Sequence, residues 1–208
     1  MKKSKRIKKS NSWKIKQHRD QFFKKSKVLG YRSRASFKLI EINNKYKFIK
    51  SNTNLLDLGS SPGGWSQVAT KLISTGKIMS IDIKDMKQLK NVKFLKGDIM
   101  QKEIKSAVIF YFKSKLDVII SDMAADTTGN KSLDSIRTNQ LCSESLGFAS
   151  KILKPQGVFV SKLFMGEDFI EVKNLAKHTF KQVNFFKPES SRSESKETYL
   201  HCKILKTF

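Results

Sequence analysis

Apolar positions along the chain switch repeatedly between helical and strand-like spacing. Ala35, Leu39, Ile42 and Tyr46 lie 4, 3 and 4 apart, the apolar stripe of a helix that Ser33 can cap. The run Leu55–Leu58 reads as a strand, and residues 64–73 return to helical spacing. Strands are predicted at 78–83, 92–95 and 116–121, with a helix at 104–112. Cys142, Leu146, Ala149 and Leu153 repeat the 4, 3, 4 spacing on a long helix closed by Pro155 and Gly157. A strand at 158–163 and a helix at 169–180 follow, then 183–186 and 198–205 as an antiparallel pair. There is no internal repeat. Strands alternating with helices predict an α/β fold with a mostly parallel sheet. In such sheets ligands sit beyond the carboxyl ends of the strands, where strand order reverses.

Residues 1–30 break this pattern. They are polar, basic and poorly periodic, and read as a flexible arm that orders on a partner. Trp13, Phe22 and Phe23 punctuate the arm. Aromatics among basic residues suit stacking on unpaired bases, and packing back on the domain accounts for them equally well.

Composition sharpens the picture. The chain has 208 residues, 38% of them apolar, which suits one domain with a full core. A net charge of +24 points to a polyanionic partner. The charge is uneven: residues 1–38 hold 15 Lys and Arg against Asp20 alone, net +14, and the other 170 residues carry +10. Part of this excess is what a general bias toward lysine would give, so residue type alone singles out no lysine. No apolar run reaches the length of a membrane span, and the N-terminal stretch lacks the apolar core expected of a secretory signal. Cys142 and Cys202 form neither a disulfide framework nor a metal pattern, and three scattered histidines add no zinc spacing. The expectation is a cytoplasmic, metal-free monomer that does not bind membranes.

The stretch DLGSSPGGWSQ, residues 57–67, ends the first strand and opens the next helix. Its glycines permit close approach of a ligand, and the helix start supplies free N–H groups. It lacks the Gly-Lys-Ser/Thr of a P-loop and the G-x-G-x-x-G of a dinucleotide site. Acids recur at successive strand ends: Asp57, Asp82, Asp98 and Asp122. Asp82 is placed to accept from ribose hydroxyls and Asp98 to meet an adenine edge. Four carboxylates in one crevice favour a cationic cofactor, and S-adenosylmethionine meets that requirement better than NAD. Any one aspartate taken alone is equally a turn or cap residue. Trp65 either stacks near the cofactor or packs the helix start.

Together SRASFKL, DLGSSPGGWSQ, SDMA, SKLFMGE and KPESSRSESKETYL resemble the FtsJ/RrmJ family of ribosomal RNA ribose 2′-O-methyltransferases, over about residues 20–206. The resemblance implies a Rossmann-like S-adenosylmethionine-dependent methyltransferase fold, a seven-stranded mostly parallel sheet with helices on both faces. It implies a tetrad of Lys38, Asp122, Lys162 and Glu197, with Lys162 the proton acceptor, and cofactor contacts at Gly63, Trp65, Asp82, Asp98 and Asp122. The composition break divides the chain into a basic, flexible RNA-binding arm, 1–30, and a methyltransferase catalytic domain, 31–208. The sequence departs from the family at Ala125-Asp126, commonly Pro-Asn, and at Met165, commonly Gln.

A ribose 2′-hydroxyl is barely ionised at neutral pH, so the enzyme must align it and relieve it of a proton. Desolvation and the charge of Lys38 push the Lys162 pKa down, while Asp122 and Glu197 push it up. The working expectation is a Lys162 at least partly deprotonated once cofactor and RNA are bound. The resemblance implies methylation of a uridine ribose in 23S large-subunit ribosomal RNA, on the assembled or assembling subunit. A non-catalytic RNA-binding assembly factor, a transfer RNA 2′-O-methyltransferase and a base methyltransferase are the competing readings.

Overall fold

The computed structural model describes residues 20–166 and 168–206. In chain order the elements are α1 (Gln21–Val28), α2 (Ala35–Tyr46), β1 (Leu55–Leu58), α3 (Gly64–Leu72), β2 (Ile78–Asp82), β3 (Val92–Lys96) and α4 (Lys102–Phe112). There follow β4 (Leu116–Ser121), α5 (Lys131–Ile152), β5 (Leu153–Phe164), α6 (Phe169–Thr179), β6 (Phe180–Phe186) and β7 (Glu197–Leu205). The strands form one sheet of order β3-β2-β1-β4-β5-β7-β6. All adjacent pairs from β3 to β5 are parallel, and β7 runs antiparallel to both β5 and β6. This matches the expected seven-stranded, mostly parallel α/β sheet. Strand order reverses between β1 and β4, so the crevice opens there.

Two apolar layers sandwich the sheet. On one face Val108, Leu146, Ala149 and Ala176 from α4, α5 and α6 pack on Leu56, Ile119 and Phe159. On the other, Leu39 and Ile42 of α2 and Val68 of α3 pack on Leu55, Val118 and Val160. The inner strands are buried on both faces, which is why β1 and β4 read as apolar runs without alternation. Each fully buried Leu or Ile contributes roughly 1.5–3 kcal/mol.

Three expectations change. Leu153 does not extend the long helix, which ends at Ile152; it opens β5 opposite Leu116. It packs in the same core as Cys142 and Leu146, so its spacing fits either element. Pro155 and Gly157 fall in a register shift between the Leu116 and Val118 pairs, where proline's missing N–H breaks no ladder bond. Ser33 is not the cap of α2: Arg34 holds that position and no side chain caps the helix. The Ser33 hydroxyl instead fills the space Gly64 leaves, where a Cβ would come within 2.3 Å of it.

Part of the segment read as an arm is helical. Residues 21–28 form α1, capped by Asp20, whose carboxylate accepts the N–H groups of Phe22 and Phe23. Phe22 packs against Phe37 of α2, ring centroids 5.6 Å apart. Asp20 also pairs with Arg34 at 2.8 Å. Trp13 and the rest of the arm lie outside the described residues.

Gly76 joins α3 to β2 against the backbone of Thr53, whose carbonyl oxygen lies 1.9 Å from where a Cβ would stand. Gly147, inside α5, meets nothing within 4 Å. Gly76→Ala is expected to destabilise by about 1–3 kcal/mol. Gly147→Ala is expected to stabilise by roughly 0.5–1 kcal/mol. Urea unfolding midpoints at constant slope measure both.

Candidate active site

The glycine turn and three of the four acids meet at the carboxyl end of the sheet. A cavity of about 720 Å³ opens there, with Asp82, Asp98 and Asp122 on its wall beside Gly59, Ser61 and Met123. Gly59, at φ +70°, lets the chain after β4 pass close: a Cβ would sit 2.9 Å from the Met123 backbone. Asp82 is fixed by two main-chain donors, Ser61 N–H at 2.8 Å and Lys84 N–H at 2.8 Å. Asp98 takes the Met100 N–H at 2.9 Å. Each anchored carboxylate keeps lone pairs for a ligand. Three acids on one wall, next to a glycine turn, fit a cationic nucleoside.

Asp57 is not the fourth of that group. It is fully buried within β1 and accepts from Ser66 Oγ at 2.5 Å, and that hydroxyl also meets Ser80 Oγ at 2.8 Å. Burial, reinforced by Asp122 and Asp82 and opposed by the Ser66 bond, raises its pKa to about 7. The crevice therefore has three carboxyl groups on its wall over a buried acid that is about half neutral near pH 7. Gly63 and Trp65 are also absent from the cavity wall. Gly63 faces Arg32, whose guanidinium would lie 2.7 Å from a Cβ. Trp65 is buried, donates Nε1–H to the Ala35 carbonyl at 2.8 Å and packs on Tyr199, which is the packing alternative of the sequence reading.

The four tetrad residues converge from four separate elements or their ends. Lys38 Nζ lies 2.6 Å from Glu197 Oε1, Glu197 Oε2 lies 3.7 Å from Lys162 Nζ, and Lys162 Nζ lies 2.7 Å from Asp122 Oδ1. Lys162 also donates to the Asp122 carbonyl at 3.0 Å. Charges alternate in sign along this chain of contacts, and Asp122 is shared with the cavity wall. The geometry follows from strand pairing. Lys162 of β5 faces Tyr199 of β7, and Phe164 faces Glu197, so period-two alternation puts Lys162, Tyr199 and Glu197 on one face.

Burial alone would lower the Lys162 pKa, but the charges of Asp122 and Glu197 and their hydrogen bonds outweigh it and raise it above the ordinary lysine value. Burial likewise pushes Asp122 up, and Lys162, Lys38 and the Tyr199 hydrogen bond overcome it and hold it low. The neighbouring carboxylates thus favour the ammonium form of Lys162.

Sequence reasoning missed three supporting residues. Tyr199 donates its hydroxyl to Asp122 Oδ1 at 2.7 Å; its position two residues after Glu197 on a strand was the available signal. Ser191 Oγ donates to Glu197 Oε1 at 2.8 Å. Arg32 ties the glycine turn to the loop after β2 through the carbonyls of Pro62, Lys87 and Gln88. Neither Ser191 nor Arg32 carries a pattern that marks it. Among the described residues no cluster of three His, Cys, Asp or Glu is arranged to hold a metal, and no helix is long and apolar enough to cross a membrane.

The chain is similar to known proteins over most of its length. The profile of the FtsJ-like methyltransferase family matches residues 31–205. Ribosomal RNA large subunit methyltransferase E of Pelagibacter ubique is 45% identical over 197 residues, 95% of this chain and 97% of that protein. The protein of the same name from Rickettsia akari is 44% identical, over 94% of this chain and 89% of that one. A solved ribosomal RNA methyltransferase from Plasmodium falciparum superposes with a TM-score of 0.75 at 33% identity, covering 84% of this chain and 98% of that one. Human methyltransferase-like protein 13, solved with S-adenosylhomocysteine, shares the fold at 17% identity, a TM-score of 0.56 and coverage of 81% and 79%.

The buried acid makes a pH test. Its folded pKa of about 7 lies above the ordinary 3.8, so the fold favours the protonated form. Its stabilising contribution is full below pH ~4 and is lost as pH rises toward ~7, at most about 4 kcal/mol. Asp57→Asn should flatten the decline in urea midpoint between pH 5 and 8 that wild type shows. Parallel profiles would mean that Asp57 does not titrate.

Proposed function

Because the chain belongs to the FtsJ-like methyltransferase family, we propose that it methylates a ribose 2′-hydroxyl, of a uridine, in large-subunit ribosomal RNA. The cofactor is S-adenosylmethionine, which when bound supplies a methyl group already activated on a sulfonium. The carrying observation is the alternating cluster Lys38–Glu197–Lys162–Asp122, joined through Asp122 to a cavity walled by three carboxylates. The names of the Pelagibacter and Rickettsia relatives support the large-subunit substrate. The ribose position and the uridine rest on the resemblance in the tetrad motifs.

The residues divide the work. Asp82 and Asp98 hold the polar groups of the nucleoside, and Asp122 contributes negative charge beside the donor. Gly63 and Trp65 act at one remove, by shaping the turn and packing its helix. Lys38 and Lys162 bind the substrate nucleotide and orient its hydroxyl, a contribution of up to roughly 7–11 kcal/mol for ideal alignment. In its minor neutral form Lys162 would take the 2′-hydroxyl proton as that oxygen attacks the methyl group the cofactor would supply. Glu197 and Tyr199 keep the two amines and Asp122 in register. The basic N-terminal region adds phosphate contacts that position RNA without reading sequence. The chain acts as a cytoplasmic monomer on the ribosomal particle.

Labelled methyl transfer to ribosomal particles, followed by alkaline digestion, tests the reaction, because a 2′-O-methyl blocks cleavage at that ribose. Label on a base or on transfer RNA instead would reject the assignment. Lys162→Ala should lower kcat about 10²–10⁴-fold, with S-adenosylhomocysteine binding retained.

The raised Lys162 pKa gives a second test. The neutral amine is scarce near pH 7, so kcat/KM should climb about tenfold per pH unit from 7 to 9. Lys162→Ala should lose that slope. A flat wild-type profile would contradict the proton-acceptor role.

A further inference from the structure

At the opposite end of the sheet, by the amino-terminal ends of the parallel strands, lies a second cavity of about 410 Å³. Its wall carries Lys47, Lys50, Lys154 and Lys203 against one acid, Asp117. That acid is already engaged, by Lys154 Nζ at 2.6 Å and by the Asn54 N–H at 2.9 Å. Lys47, Lys50 and Lys203 have no carboxylate partner among the described residues.

His201 lines the same cavity and is only 4% exposed. Its ring stacks on Tyr46, with centroids 3.9 Å apart and 7° between planes. Neither ring nitrogen has a hydrogen-bond partner on another residue. Burial, together with the charge of Lys203, lowers the His201 pKa to about 4, so the ring stays neutral and offers one donor and one acceptor. Buried polar atoms without partners are uncommon in native folds and call for a ligand or ordered water.

We propose that this basal cavity is a binding site for a phosphate group, held by Lys47, Lys50 and Lys203 over the unpartnered imidazole of His201. Three free ammonium groups suit a phosphate, with up to two negative charges, better than a single carboxylate. A cavity of this volume lies in the range of ordinary ligand sites. The phosphate can belong to an RNA backbone or to a free nucleotide. Both use the same lysines. Strand β7 joins this site to the catalytic one, because Glu197, Tyr199, His201 and Lys203 alternate onto one face. The two sites are thus about 20 Å apart along the strand.

The test follows the imidazole signals of the full chain by NMR. The protein has three histidines, and His201→Asn identifies the signal concerned. Inorganic phosphate, uridine 5′-monophosphate and a short single-stranded RNA are titrated separately. The His201 signal should move with inorganic phosphate. Lys50→Glu and Lys203→Glu should each weaken that response about tenfold or more, the worth of one charge-assisted contact. Both variants should bind S-adenosylhomocysteine as wild type does. A response to RNA that the same variants weaken assigns the phosphate to the RNA backbone; a response to the mononucleotide without one to RNA assigns a free nucleotide. A signal unmoved by all three, or an equal response in the lysine variants, overturns the site. The readout is independent of methyl transfer, so failure here leaves the catalytic reading standing, and the reverse also holds.

Discussion

Four buried charges at the carboxyl end of the sheet hold one another in place, and each is tolerable only because its neighbour has the opposite sign. Removing a single member would leave an uncompensated ion among side chains that are 9–16% exposed. The pairing of β5 with β7 sets this arrangement, since it places Lys162 opposite Tyr199 and one step from Glu197. A slip of one residue would turn Lys162 into the apolar layer that holds Leu163 and Leu200. The apolar face of the strand pair thus enforces the register on which the polar face depends.

The support around Glu197 is as specific as the cluster itself. The Glu41 carboxylate accepts the N–H groups of Glu189, at 2.6 Å, and Ser190. Arg34 donates to the Ser190 carbonyl and pairs with Asp20, and Ser191 reaches Glu197 directly. The helices α1 and α2 therefore fix the loop before β7, which fixes the glutamate. On the other side of the crevice the half-neutral Asp57, bonded to Ser66, underpins the glycine turn without adding a full charge to the three acids on the wall.

Much of this was legible in the sequence where one local signal governs. The apolar runs of β1 and β4, the stripe of α2 and the glycine turn are local features, and they lie where they were read. The tetrad was legible only through the combination of motifs, since a lysine in a chain this basic carries no signal by type. What could not be read were properties that depend on contacts between distant segments. Leu153 suits a helix and a strand equally, and its pairing with Leu116 decided the matter. Asp57 looks like the other strand-end acids until its side chain is found among Ser66 and Ser80. The Lys162 protonation state turned on how near two carboxylates lie, and Trp65 on its bond to Ala35.

The cluster also joins segments far apart in sequence. Lys38 lies on an early helix, while its partner Glu197 begins the final strand of the sheet. Contacts between residues so far apart in sequence form late, after local structure has condensed. A chain emerging from the ribosome would have its glycine turn and core strands before this ion pair can close. Catalytic competence would then be the last property the nascent protein acquires, and a product ending short of β7 would keep the crevice yet lack the glutamate that steadies both lysines.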